Sequence, residues 1–127
     1  MISQKPYLIR ALYEWCNDNQ QTPHLVVFVD NNTIVPKQYV KEDQIVLNIA
    51  FDAINNLTIG NDWITFQAVF SGNHQDIVIP TANVLGIFAK ESSQGMHFEL
   101  ENYTVKSEET NLADQKTPAK SGLTLVK

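Results

Sequence analysis

The stretch Trp63 to Phe70, WITFQAVF, puts Ile64, Phe66, Ala68 and Phe70 on one side of an extended chain and Thr65, Gln67 and Val69 on the other. A helix would scatter this apolar set around its axis, so the alternation predicts a strand with one face in a core. Other short apolar runs surround it. His24 to Val29 (HLVVFV) is rich in β-branched and aromatic residues, and Gln44 to Ala50 (QIVLNIA) sets Ile45, Leu47 and Ile49 on one face. Leu57 to Ile59 leads into a Gly60-Asn61 turn, and Ser71-Gly72-Asn73 forms a second turn before Gln75 to Ile79, which Pro80 closes. Val84 to Ala89 and Met96 to Leu100 complete the series. Short strands at roughly 8–12-residue spacing predict a sandwich or a partly open barrel, here as a helix followed by a meander.

The helix comes first. From Lys5 to Asn19, Leu8, Leu12, Trp15 and Cys16 fall at helical spacing; Ser3 stands near the cap and Pro6 fits a first turn. The Asn17-Asp18-Asn19 cluster and Thr22-Pro23 end it. Tyr7, Ile9 and Tyr13 lie outside the Leu8/Leu12/Trp15 stripe, so the helix is apolar on more than one side. A surface helix has one such stripe. Either this helix is deeply buried, or its second face meets another subunit through Tyr7, Ile9, Tyr13 and Cys16.

A chain of 127 residues, 43% of them hydrophobic, suits one domain with a tail and needs no staple to fold. The single cysteine, Cys16, excludes an intrachain disulfide and a cysteine-built metal cluster. The opening MISQKPYLIR lacks a signal-peptide core, and no apolar run reaches the roughly 20 residues that cross a bilayer, so a cytoplasmic protein is expected. Lys and Arg number 9 against 14 acids, a net charge of -5, which argues against a phosphate-backbone partner.

Composition changes after residue 101. The segment 102–120 has few large apolar residues and reads as a disordered linker. The end turns apolar again in Leu123-Thr124-Leu125-Val126-Lys127. That end is either a last edge strand or a short docking motif. The expected organisation is therefore a domain over 1–101, a linker over 102–120 and a docking peptide over 121–127.

No catalytic motif appears in the sequence. His24, His74 and His97 lack metal-ligand spacing, and no phosphate-cradling glycine loop or nucleophile elbow is present. No cofactor or metal is expected, and the chain is not expected to be an enzyme.

The segments PYLIRALYEW (6–15), Asp18-Asn19-Gln20 and Thr22-Pro23-His24-Leu25-Val26-Val27 closely resemble the opening of the stringent starvation protein B family. The resemblance continues through Val35-Pro36, Gln44 to Ala50, Asn56-Leu57, Phe66 to Gly72, Val78-Ile79-Pro80, Val84 to Glu91 and Gly95 to Phe98. It implies a mainly β domain of Sm-like character with one N-terminal helix and a disordered C-terminal tail. It also implies a homodimer joined through that helix. Such a protein binds the ssrA tag and delivers tagged proteins to the ClpXP protease. The tail end, Leu123, Leu125, Val126 and Lys127, would dock on the N-terminal domain of the ClpX unfoldase. Thr124 stands where the family has a basic residue, and Leu125 where it has Val.

For the tag, an extended peptide, the expected pocket is Ala50, Phe51, Ala68, Phe70, Met96 and Phe98, with Asn48 and Gln67 as polar contacts. Ala68 is small and leaves room for a peptide, although tight core packing explains it equally; Met96 fits an adaptable pocket or a core gap. The alternative function is an Sm-like RNA-binding protein, which the acidic balance opposes. A small hydrolase with dispersed residues is a third, unsupported by any nucleophile and base pairing.

Overall fold

The computed structural model describes residues 2–103. Helix α1 spans Lys5–Asp18, and seven strands follow: β1 Pro23–Phe28, β2 Gln44–Asn48, β3 Ile54–Ile59, β4 Trp63–Phe70, β5 Asn73–Pro80, β6 Val84–Ala89 and β7 Gly95–His97. The fold is mainly β with one N-terminal helix, built from two antiparallel sheets. One sheet has the order β2-β1-β6-β7 and the other β3-β4-β5.

The alternation in β4 does what its sequence dictates. Ile64, Phe66 and Ala68 are buried, and Gln67 and Val69 are exposed. Leu25 and Val27 of β1, Ile45 and Leu47 of β2, Ile77 and Ile79 of β5, and Val84 and Ile87 of β6 join them in one core. Burying each such side chain contributes roughly 1.5–3 kcal/mol. Both sheets share this core, and α1 sends Ile9 into it.

Local chemistry sets the connections. Ser71 and Gly72 have φ of 51° and 82°, a two-residue turn that pairs Phe70 with Asn73. At β3 the register slips between Asn55 and Thr58, and Asn56 has φ of 59°: the outer strand of its sheet carries a bulge. Gly95 lies against β6 so closely that a Cβ there would sit 2.0 Å from the Ile87 carbonyl oxygen and 2.5 Å from Phe88 Cα.

The chain departs from a meander. β6 pairs with β1 rather than with β5, so the backbone leaves the first sheet after β2 and returns to it after β5. The return is a tight turn at Thr81–Asn83. Thr81 donates its N–H to the Asp62 carbonyl and its hydroxyl to the Gly60 carbonyl, and both Thr81 and Asn83 are buried there.

The helix also turns a different face inward. Lys5, Ile9 and Cys16 are its buried residues besides Pro6, while Leu8, Leu12 and Trp15 are half-buried. Ile9 and Cys16, expected at a subunit interface, are 0% and 1% exposed within the chain's own fold. The aliphatic content of the helix did not distinguish the faces; the core beneath it did.

Candidate functional site

The six residues expected to form one peptide pocket fall into two groups. Ala50 ends the run after β2, where its N–H is held by Asn48 Oδ1 at 2.9 Å. Its carbonyl accepts the Ala53 N–H at 2.9 Å, closing a turn that leads into β3. Phe51 stands on this turn, 73% exposed. Just past it, Ile54 pairs with Ala68 of β4. Phe70 ends β4, half-buried, with its ring 5.4 Å from that of Tyr39. Tyr39 shares a hydrogen bond with Ser71 at 2.9 Å.

Met96 and Phe98 belong elsewhere. Met96 lies on β7, opposite Ile87, and β7 is at the far edge of its sheet from β2. Three strand spacings separate those edges, about 14 Å along the sheet. Phe98 packs on the core, with the Lys5 ammonium 5.9 Å from its ring. No strand pairing joins these two residues to Phe51 and Ala68, although Phe98, Phe70 and Ala68 all meet the same apolar cluster.

Ala68 is 8% exposed and part of the core cluster. Of the first group, Phe51 presents the free apolar surface. Val46 on β2 and Val69 on β4 are other apolar side chains left more than half exposed. Gln67 is exposed and accepts a hydrogen bond from Asn56 Nδ2 at 3.0 Å.

The helix presents Tyr7, Ala11, Glu14 and Asp18 as its exposed stripe. Arg10 lies 4.7 Å over the Tyr7 ring and bonds Asn61 across from the helix. Tyr7 remains 51% exposed. Tyr13 is half-buried and packs on the core. Leu123, Leu125, Val126 and Lys127 lie outside the described residues.

A polar assembly at the start of α1 was not foreseen. Lys5 is 3% exposed, yet its ammonium donates to the carbonyls of Ala82 at 2.8 Å, Val84 at 2.9 Å and Glu99 at 2.7 Å. All three N–H bonds of the charge are used. Burial pushes the Lys5 ammonium below the usual lysine range, partly opposed by Glu101. Near it, Ser3 donates to Glu101 at 2.9 Å and accepts the Lys5 N–H at 3.1 Å. A cavity of ≈ 480 Å³ opens here, walled by Ile2, Lys5, Leu8 and Phe98 among others. In sequence, a lysine beside a proline at a helix start reads as solvent-facing, and nothing local marks it otherwise.

A second polar set anchors Tyr103, two residues beyond the expected domain end. Its hydroxyl donates to Asp30 and accepts from Asn32 Nδ2 at 3.0 Å. Thr33 donates to Asp30 at 2.9 Å, as does the Asn32 N–H. Burial works against the Asp30 charge, but these hydrogen bonds prevail and hold its carboxyl below the usual range. Burial and the Asp30 bond raise the Tyr103 phenol.

Among the described residues, no group of three or more His, Cys, Asp or Glu could hold a metal ion, and no helix is long and apolar enough to cross a membrane. The Cys16 thiol is pushed up by burial and by Glu91, away from the thiolate form a nucleophile needs.

A model of the family described as Stringent starvation protein B matches residues 3–124. A curated Haemophilus influenzae protein, described as Stringent starvation protein B homolog, is 44% identical over 99 residues, 77% of this chain and 66% of that protein. The match thus spans just under two thirds of the relative's own length. With residues from the helix to beyond the last strand inside the family match, the chain belongs to the stringent starvation protein B family.

Proposed function

We propose that this chain is a cytoplasmic, non-catalytic adaptor that binds ssrA-tagged proteins and brings them to the ClpXP protease. Membership of the family supports the reading, and the observation that carries it is Phe51. An aromatic ring 73% exposed on a turn beside two sheets is apolar surface left uncovered by the described residues. An extended peptide would lay an apolar side chain against Phe51, next to Ala50. Ala68, paired with Ile54 just past this turn, is a small core residue of the neighbouring strand.

The same reading assigns a homodimer to the outer stripe of α1, with Tyr7 at its centre and Tyr13 at its margin. It assigns docking on the ClpX N-terminal domain to Leu123, Leu125, Val126 and Lys127. Holding cargo at one place and the unfoldase at another makes delivery an intramolecular event, which raises the effective cargo concentration to about the millimolar range. The adaptor itself breaks no bond.

The test combines calorimetry with degradation. Full-length chain titrated with ssrA peptide gives saturable heat, and it accelerates ClpXP turnover of a tagged reporter but not of an untagged one. A flat titration with folded protein would overturn the reading.

A further inference from the structure

After β7 the backbone runs back across the start of α1 as six residues, Phe98 to Tyr103. Polar groups hold it almost throughout. The Phe98 N–H donates to the Leu85 carbonyl at 2.8 Å and the Glu101 N–H to the Ala82 carbonyl at 3.1 Å. The Lys5 ammonium grips the Glu99 carbonyl, and Ser3 grips the Glu101 carboxylate. At the far end Tyr103 is tied to Asp30 and Asn32, with its ring edge-on to Trp63 at 6.1 Å.

The segment gives the core little in return. Glu99, Leu100 and Asn102 are exposed, and Phe98 is its one side chain packed on the apolar cluster. A segment held by polar contacts and poor in apolar burial opens at a lower free energy than the sheets beneath it. Lys5 couples the pieces, because one ammonium holds the turn before β6, the start of β6 and the segment itself.

We propose that residues 98–103 are a latch that opens and closes as a unit on the folded domain, fastened by Lys5 and Ser3 at one end and by the Asp30–Tyr103 pair at the other. The latch fixes where everything C-terminal to it departs. Closed, the departure point is beside Asp30 and Trp63. Open, it retreats to the end of β7, and six extended residues carry Tyr103 up to about 20 Å away. Opening also bares the Leu8 and Lys5 wall of the cavity. The latch is a property of the domain alone, so its test requires no cargo and its failure leaves the adaptor reading untouched.

Native-state hydrogen exchange on the full chain, paired with labelling of lysine amines by an N-hydroxysuccinimide ester, reads both ends. In the unaltered chain the Phe98 and Glu101 amides exchange at least about tenfold faster than the slowest amides of β4 and β5. Tyr103→Phe removes the hydroxyl at the far end. It speeds exchange at both latch amides by roughly a further fivefold or more and raises Lys5 labelling in step, while β4 and β5 are unchanged. Ser3→Ala repeats the pattern from the near end. Latch amides that exchange only as fast as the slowest β4 and β5 amides would place the segment in the cooperative core and overturn the proposal. So would a Tyr103→Phe chain in which Glu101 exchange and Lys5 labelling do not move, or in which all amides speed up alike.

Discussion

Ala68 sits directly opposite Ile54 on the β3–β4 ladder, and both side chains are buried. That pairing decides how a pocket in this region can be probed. Ala68→Gln forces a primary amide into the core and should cost about 1–3 kcal/mol of stability, readable as a lower urea midpoint. Phe51→Ala, on the exposed turn, should change stability by no more than about 0.5 kcal/mol. It should weaken tag-peptide binding by roughly tenfold, since an aromatic anchor in a peptide site contributes on the order of 1–2 kcal/mol. Fluorescence anisotropy with labelled peptide checks this; undiminished affinity would move the site away from the β2–β3 turn.

Helix α1 offers two contrasting substitutions. Ile9→Ala opens a void in the shared core and should cost about 2–5 kcal/mol. Tyr7→Glu, on the exposed stripe, should leave the melting temperature close to the starting value while shifting sedimentation from dimer to monomer. A Tyr7→Glu chain that still sediments as a dimer would place the contact on another surface.

Asp30 should make the domain sensitive to acid. Its folded pKa is depressed, so its contribution is complete above the unfolded value of about 3.9 and is lost as pH falls through the lower folded value. Urea titrations of the parent and of Asp30→Asn should show a stability gap at neutral pH that narrows below about pH 4. Tyr103 acts at the other extreme. Its folded pKa is raised, so its contribution is intact below about pH 10 and disappears as pH climbs through the folded value. A gap that stays constant from neutral pH to pH 2 would mean that the carboxylate is not what Tyr103 and Thr33 stabilise.

Gly95 is the contact that seats β7. A methyl group there would overlap the β6 backbone at 2.0 Å, so Gly95→Ala should detach the strand. The expected sign is faster exchange of the β6 and β7 amides that bond across this ladder, with a loss of about 1–3 kcal/mol. Unaltered protection in β7 would show that the strand can shift without penalty.

Much of this architecture was written in short-range patterns. The alternation of WITFQAVF gave β4 both its bounds and its inner face, and the Ser71-Gly72 pair announced its turn. The β1–β6 pairing was not legible, because Val84 to Ala89 is apolar on both sides and its partner is some sixty residues earlier. The inner face of α1 was misread for a related reason. Its aliphatic residues surround the axis, and the side that turns inward includes a lysine whose ammonium donates to the carbonyls of Ala82, Val84 and Glu99. Backbone acceptors leave no trace in residue type. Phe51 was recognised as apolar, but only the turn at Ala50–Ala53 shows that it stands clear of the core.

The bulge at Asn55–Thr58 has an effect that reaches past the single chain. β3 ends its sheet, and a straight end strand invites addition of another strand, whether from a second copy or from any extended segment nearby. With Asn56 held at positive φ, the outward row of amides and carbonyls is bent out of line and cannot template a growing stack. An end strand broken in this way offers a passing extended chain a poorer seat, and so lowers the risk of strand-by-strand growth into fibres.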